Sequence, residues 1–468
     1  MMKTGNLLVT TYNYEPDEYC VKPPMLIWFM SLSLKIFGSN EIGVRMPSAL
    51  AGLFTCMMLF IFCKKYLKSD VIGFFSVMVL ITINGYVNRH VTRTGDYDAL
   101  LTLFTTAYCL FYFAFLETKD KKLLLAFFVS LTCAVLTKSV SGLFFGPALL
   151  IYTIYRRAFW DVLKNPVFWG GLIFFILSVG SYYYFREQAA PGYLELVWLY
   201  ELGGRYNRTL GNHEGDYWFY YRNLFRYRLP MWFAILPLGF AAGLLSKNEK
   251  IKGLSLFLGI CIISYFLIIS GASTKLEWYD APMFPFIAIL CALFLFEVFN
   301  FFIKTNFFQN IKSPLPAFLL FCIIAFTIPY SRVISKTYRP SEYEWEAEFY
   351  NVSYWLRAAN EGRRDFNNHI LVYDLYNGHL EFYVNSLQDQ GVNFKEKNFL
   401  QVSTGDTIIL SEWSTYAQIE KRFNFEVLER EENVFRMVLL ERKTLKAKTT
   451  IEIPIRRSGG MTTNHHSD

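Results

Sequence analysis

The chain is written in long apolar blocks separated by short polar connections, and crossing about 30 Å of hydrocarbon takes roughly 20 residues of helix. Blocks at 44–64, 71–88, 98–116, 122–137, 141–155, 167–185, 229–245, 253–270, 281–303 and 315–333 approach or meet that length and predict ten crossings. The run 25–37 (MLIWFMSLSLKIF) is shorter, follows Pro23-Pro24 and contains Lys35, which predicts a helix lying in the membrane interface. From residue 334 the pattern changes. Alternating runs Ile370–Tyr373, Thr407–Leu410 and Val434–Glu441, broken at Asn377-Gly378 and Gly405-Asp406, predict a small α/β domain over 334–457. Residues 458–468 (SGGMTTNHHSD) read as a disordered tail. The expected fold class is an all-α polytopic membrane domain over 44–333, preceded by an interfacial segment 1–43 and followed by a small α/β domain outside the cytoplasm.

Composition agrees: 53% of residues are hydrophobic and 18% charged, against about 25% charged in soluble domains. The net charge of +7 does not point to a nucleic-acid partner, because the basic residues sit in short runs between apolar blocks and make no basic face. Their distribution reports topology. Loops 65–70, 117–121, 156–166, 246–252 and 304–314 hold most short-loop lysines and arginines, whereas the intervening loops hold only Arg89, Arg93, Lys138 and Lys275. The first set is expected on the cytoplasmic side. The loop 186–228 and everything after about 334 then face outward, as do both chain ends. Residues 1–24 contain no apolar run, so an additional N-terminal helix is expected upstream of the sequence given.

A pump or coupled transporter keeps ionisable groups near the bilayer midplane. The predicted spans hold almost none; Glu297 is the clearest, toward a cytoplasmic helix end. Transport is disfavoured on that ground. Polar residues gather instead at outer helix ends: Lys22, Arg45, Arg93, Asp96, Asp98, Lys138, Glu201, Arg205, His213, Lys275 and Tyr279. Such a ring suits a site for an amphiphile with an anionic head group.

Arg93-Thr94-Gly95-Asp96-Tyr97-Asp98 opens one helix. Either aspartate could cap that helix; two carboxylates exceed what one cap requires, and a carboxylate that orients donor or acceptor is the functional alternative. Lys22, Lys138 and Lys275 could each snorkel to lipid head groups. Cations in short outer loops run against the sidedness bias, and together the three favour a bound phosphate. The outer loop is rich in tyrosine, tryptophan and arginine, which suits an interfacial belt or stacking on a sugar ring. His213, in Asn212-His213-Glu214-Gly215-Asp216, is either solvated or a metal ligand with nearby carboxylates.

In order along the chain stand Lys22-Pro23-Pro24 with Trp28; Phe37-Gly38-Ser39-Asn40-Glu41 leading to Arg45; Arg93 to Leu101 (RTGDYDALL); and Leu136-Thr137-Lys138-Ser139. Glu201 to Tyr206, His213 with Tyr220-Tyr221 and Leu229-Pro230, and Ser273 to Pro282 (STKLEWYDAP) complete the series. Over about residues 1–335 this string resembles the bacterial branch of the dolichyl-phosphate-mannose protein mannosyltransferase family, which includes the lipid A aminoarabinose transferase. The resemblance implies a C-fold glycosyltransferase of the bacterial inner membrane that takes sugar from a polyprenyl-phosphate donor. Transfer would be to a lipid, glycan or protein acceptor on the outer face, among membrane lipids and without nucleic acid. It implies that Lys22, Lys138, Lys275 and Arg93 hold the donor phosphate and that Asp98, with Asp96, orients sugar or acceptor. Tyr279, Arg45, Glu201, Arg205 and Tyr220 would line the cavity.

Two departures stand out. Members carry an Asp-Glu pair after their first membrane helix; Asp17-Glu18 lies too close to Lys22 to occupy that place. Some members also pair the loop histidine with a glutamate directly before Lys-Pro to hold a divalent metal. Here that position is Val21. The competing readings are a polysaccharide ligase, polymerase or flippase, and an inactive membrane scaffold; a flippase should line its spans with charge, and these spans are not so lined.

Overall fold

The computed structural model of the protein describes residues 5–12, 15–17, 20–207, 209, 213–304, 314–338, 346–374 and 377–443, without the side chains of Leu202 and Arg205. The tail 458–468 lies outside the described residues. The chain divides into two compact units, Met1–Ser341 and Glu342–Asp468.

In the first unit, α1 (Met25–Phe37) is the short helix expected at the interface. Ten further helices of at least ten residues follow among the described residues: α2 (Glu41–Phe62), α3 (Asp70–Ile81), α4 (Tyr97–Thr118), α5 (Lys121–Lys138), α6 (Gly146–Tyr155), α7 (Pro166–Ala189), α8 (Ile235–Leu244), α9 (Glu249–Gly271), α10 (Phe284–Ile303) and α11 (Leu315–Thr337). Their starts are written locally. The side chains of Asn40, Ser69, Asp120, Asn165 and Asn248 each accept a backbone N–H in the first turn of α2, α3, α5, α7 and α9, satisfying donors that have no partner within the helix.

Each expected crossing coincides with one of these ten helices, but the lengths differ. Among the described residues seven helical stretches are long and apolar enough to cross a membrane. The other three, α3, α6 and α8, have 12, 10 and 10 residues, about 15–18 Å at 1.5 Å per residue. Each is cut short by an identifiable cause. Beyond α3, the Thr82 hydroxyl donates to Met78 and Val79 carbonyls and Gly85 N–H donates to Arg228 O at 3.1 Å, which turns the apolar run 83–87 away from the helix axis. Before α6, Ser139 takes φ 48° and starts a tight turn, Ser139–Leu143. Before α8, Pro230 cannot sustain a helix, which begins only at Ile235.

α4 forms the centre of the bundle: 83% of its apolar span is buried inside the protein, against 11% for α7, which therefore presents its side chains to lipid. Glycine permits one close helix contact. A Cβ on Gly239 in α8 would meet the Leu290 carbonyl of α10 at 2.1 Å, so only a residue without one lets these backbones approach.

The second unit is an α/β domain. Helix α12 (Ala347–Asn360) precedes strands β1 (His369–Val372), β2 (Phe394–Lys397), β3 (Thr407–Leu410), β4 (Phe423–Glu431) and β5 (Val434–Arg442), with α13 (Gly378–Asp389) and α14 (Trp413–Arg422) between them. The strand order is β2-β1-β3-β5-β4. β1 pairs parallel with β2 and β3; β5 pairs antiparallel with β3 and β4. β1 is buried along its whole length, as a central parallel strand covered on both faces should be. The break at Asn377-Gly378 starts α13, the crossover that a parallel β1–β2 pair requires.

Candidate functional site

Asp98 lies in the first turn of α4 and Lys138 is the last residue of α5, so the packing of these two helices brings together groups 40 positions apart. Lys138 Nζ donates to both carboxylate oxygens, at 2.7 and 2.8 Å, and the two side chains are only 6% and 4% exposed. The ammonium also lies 4.8 Å from the Tyr279 ring centroid, within range of a favourable cation–π contact. Removing two charges from water is costly, and here the cost is offset by mutual attraction and a two-pronged hydrogen bond.

This pair forms part of the wall of a cavity of about 190 Å³, whose lining also includes Lys22, Glu201, Tyr206, Tyr265, Thr274 and Tyr279. Lys22 Nζ stands 3.8 Å from Glu201 Oε1 and 5.5 Å from the Tyr97 ring. Two ammonium groups, two carboxylates and several tyrosines thus converge on a largely apolar hollow. Such a set can hold a phosphodiester and a sugar ring and stabilise charge as it develops on a phosphate leaving group, because ion–dipole and ion–ion terms strengthen where water is excluded.

Of the residues marked from sequence, Lys22, Asp98, Lys138, Glu201 and Tyr279 meet at this cavity. Lys275 does not join its lining. Its Nζ donates to the Ile269 and Ser270 carbonyls, closing the C-terminal end of α9, where a cation suits the helix dipole; burial pushes this ammonium below its ordinary value. Tyr220 is fully buried, its hydroxyl donating to Leu276 O at 3.1 Å and accepting Leu276 N–H at 3.3 Å, which makes it a brace for that segment. Arg45 is exposed on α2 and partly buried Arg93 lies nearby, neither in the cavity wall. The Arg205 side chain lies outside the described residues.

Asp96 occupies the N-cap position of α4 yet makes no capping bond. Its Oδ2 is 2.9 Å from His90 Nδ1 and accepts the Thr94 hydroxyl at 2.9 Å. Burial alone would raise this carboxyl; the hydrogen bond and charge of His90, the Thr94 bond and the charge of Lys138 outweigh it and hold the group below the usual carboxylate range. The His90 ring stacks on Trp278, centroids 3.7 Å apart. Sequence reading passed over His90, since nothing in Asn88-Arg89-His90 marks it before the loop folds back. It also passed over Asp280, which forms a buried pair with Arg228: Nη2 to Oδ1 is 2.9 Å, with side chains 3% and 0% exposed. Asn223 adds a bond to Asp280 Oδ2 at 3.3 Å.

The metal that the family resemblance implied does not fit the residues present. Val21, where a glutamate would be needed, is buried against Leu136, Tyr182, Tyr193 and Val197. His213 is exposed, and among the described residues no group of three His, Cys, Asp or Glu is placed to hold a metal ion.

Residues 21–184 match the profile of the family described as dolichyl-phosphate-mannose-protein mannosyltransferase. An uncharacterized protein of Aquifex aeolicus is 28% identical over 63% of this chain and 56% of its own length. The undecaprenyl phosphate-alpha-4-amino-4-deoxy-L-arabinose arabinosyl transferase of Shewanella sediminis is 24% identical over 64% of this chain and 54% of its own. The chain thus spans about half the length of the curated relatives it matches. The crystal structure of ArnT from Cupriavidus metallidurans bound to undecaprenyl phosphate shares the fold with a TM-score of 0.70 at 15% identity, covering 93% of this chain and 91% of that one. Over residues 21–184 the chain is thus similar to the dolichyl-phosphate-mannose-protein mannosyltransferase family, and at 24% identity to the aminoarabinose transferases.

Proposed function

We propose that the protein is a membrane glycosyltransferase that moves a sugar from a polyprenyl-phosphate donor to a lipid, glycan or protein acceptor at the outer face of the bacterial inner membrane. The observation that carries this reading is the cavity in which Lys22, Glu201 and the buried Asp98–Lys138 pair stand beside Tyr279. The donor phosphate binds between Lys22 and Lys138. As the bond from the anomeric carbon to phosphate breaks, the leaving phosphate gains charge, and both ammonium groups stabilise it in a site poor in water. Asp98 holds Lys138 in place and faces the sugar. The arabinosyl transferases among the relatives are named for an undecaprenyl phosphate donor, which supports the donor class.

The second unit, with residues 334–457 as its expected extent, belongs on the outer side in this reading, as does the 186–228 loop; the excess of basic residues in the alternate loops supports that orientation. The test is transfer of radiolabelled sugar from undecaprenyl-phosphate donors by the protein in oriented proteoliposomes. Transfer by the unsubstituted protein that is lost in Asp98→Asn, with insertion unchanged, supports the assignment. Equal turnover by both proteins overturns the role of Asp98, and no transfer from any donor overturns the reading.

A further inference from the structure

Arg186, in the last turn of α7, is only 3% exposed, and its Nη1 has no hydrogen-bond partner. The charge itself is partly met. The guanidinium carbon lies 4.4 Å from the Tyr193 ring centroid, a cation–π distance, and the C-terminal end of a helix favours a cation. A ring and a helix dipole attract the charge but supply no oxygen to its N–H donors, of which a guanidinium has five. The adjacent carboxylate is spent elsewhere: Glu187 accepts the backbone N–H of Gly192 and of Leu194, both at 2.8 Å. So are the nearby hydroxyls, since Tyr193 donates to Val21 O at 2.9 Å and Tyr182 Oη stands 3.3 Å from Tyr193 Oη. Arg228, buried to the same degree, has Asp280; among the described residues Arg186 has no such ion pair. A charge withdrawn from water without a hydrogen-bonded counter-ion is strongly unfavourable, so the position calls for an anion.

The surroundings say which anion. Only 11% of the apolar span of α7 is buried inside the protein, and Phe185, Leu194 and Trp198, close to Arg186 in sequence, are exposed. Aromatic residues at the end of a lipid-facing helix mark the level of the head groups. An anion reaching Arg186 from that side carries apolar chains, and the guanidinium fork matches two oxygens of a phosphate. We infer that Arg186 is the anchor of a second site, one that binds the phosphate of a membrane lipid and is separate from the Lys22–Lys138 cavity, whose lining does not include it. The lipid chains lie against the exposed face of α7. Tyr193, on the short helix Tyr193–Val197, covers the guanidinium, and the turn before it contains Gly192 at φ 95°, a conformation that costs glycine little. Movement at this turn admits the head group. Such a site operates whether or not the cavity transfers sugar. Its phosphate is that of a glycerophospholipid or of a polyprenyl phosphate, which share the chemistry Arg186 recognises.

The experiment follows thermal unfolding and labelled-lipid binding of the delipidated full chain in detergent, unsubstituted and as Arg186→Met. The probes are phosphatidylglycerol, undecaprenyl phosphate, inorganic phosphate and diacylglycerol. Without lipid, Arg186→Met should unfold at the same temperature or higher, because methionine removes a buried charge and leaves no partner behind. Phosphatidylglycerol should raise the Tm of the unsubstituted protein, diacylglycerol should not, and Arg186→Met should bind phosphatidylglycerol about 10- to 100-fold more weakly. Lys22→Ala should bind it as the unsubstituted protein does, which separates this site from the cavity. If undecaprenyl phosphate alone gives the response that Arg186→Met loses and Lys22→Ala keeps, the polyprenyl lipid is the source. Equal lipid binding by the unsubstituted protein and Arg186→Met overturns the site. A lower Tm of Arg186→Met without lipid also overturns it, since the counter-ion then lies within the protein. So does a response to inorganic phosphate as large as that to either lipid, or no response to any probe.

Discussion

Asp98 accepts two hydrogen bonds from a single ammonium, Lys138 Nζ, at 2.7 and 2.8 Å, across the contact between α4 and α5. Removing either partner leaves the other charge buried without compensation. Lys138→Met and Asp98→Asn should each lower stability by about 3–5 kcal/mol, whereas the double substitution should cost less than their sum. Thermal unfolding in detergent measures this, and additive losses would show that the pair is not coupled.

Lys22 and Lys275 should behave differently. Lys22 faces the cavity, so Lys22→Ala should weaken binding of undecaprenyl phosphate by about 1.5–3 kcal/mol, the value of a hydrogen bond to a charged group. Lys275 is committed to the end of α9; Lys275→Ala should lower the Tm and leave that affinity unchanged. Equilibrium displacement of a labelled lipid distinguishes the two, and equal loss of affinity in both would return Lys275 to the phosphate site.

Arg228 and Asp280 join the segment before α8 to the segment before α10, far from solvent. Asp280→Ala should destabilise by about 3–5 kcal/mol by leaving the guanidinium unpaired, and the variant should elute as aggregate in size-exclusion chromatography after mild heating. Retention of a normal monodisperse profile would show that Asn223 and the nearby backbone suffice.

The Asp96 carboxyl titrates below its unfolded value of about 3.9. Its contribution to stability is therefore complete above that value and is lost as pH falls through the lower, folded one. Trp278 fluorescence, which senses the stacked His90 ring, should change on acidification in the unsubstituted protein. In Asp96→Asn the acid-induced change should be smaller; an identical profile would place its origin elsewhere.

At Gly239 the obstacle is a backbone carbonyl, Leu290 O, which cannot swing aside as a side chain can. Gly239→Leu should part α8 from α10 at a cost of about 1–3 kcal/mol or more, read as a lower Tm. An unchanged Tm would mean that α8 is free to shift.

Much of the architecture is a local property. Apolar runs of about 20 residues have few alternatives to a membrane helix, and asparagine, serine or aspartate at a helix start acts within one turn. The strands His369–Val372, Thr407–Leu410 and Val434–Arg442 likewise follow from short apolar runs beside turn residues. The three short helices were less legible, because hydropathy continues past Thr82 and through Leu229-Pro230 while hydrogen bonding does not.

By itself the sequence determined the membrane class, the place of the ten apolar helices though not the shortness of three of them, the α/β character of the second unit, and which residue types crowd one set of helix ends. Tertiary structure alone decided what each charge does. Lys138 and Lys275 are both cations at short connections between apolar helices, yet one meets a carboxylate 40 positions away in a cavity wall and the other turns back on carbonyls five and six positions earlier. Hydropathy is a sum over neighbours in the chain, whereas an ion pair depends on which backbones pack together. The pairing of Asp98 with Lys138, of His90 with Asp96 and Trp278, and of Arg228 with Asp280 came into view only with the folded chain.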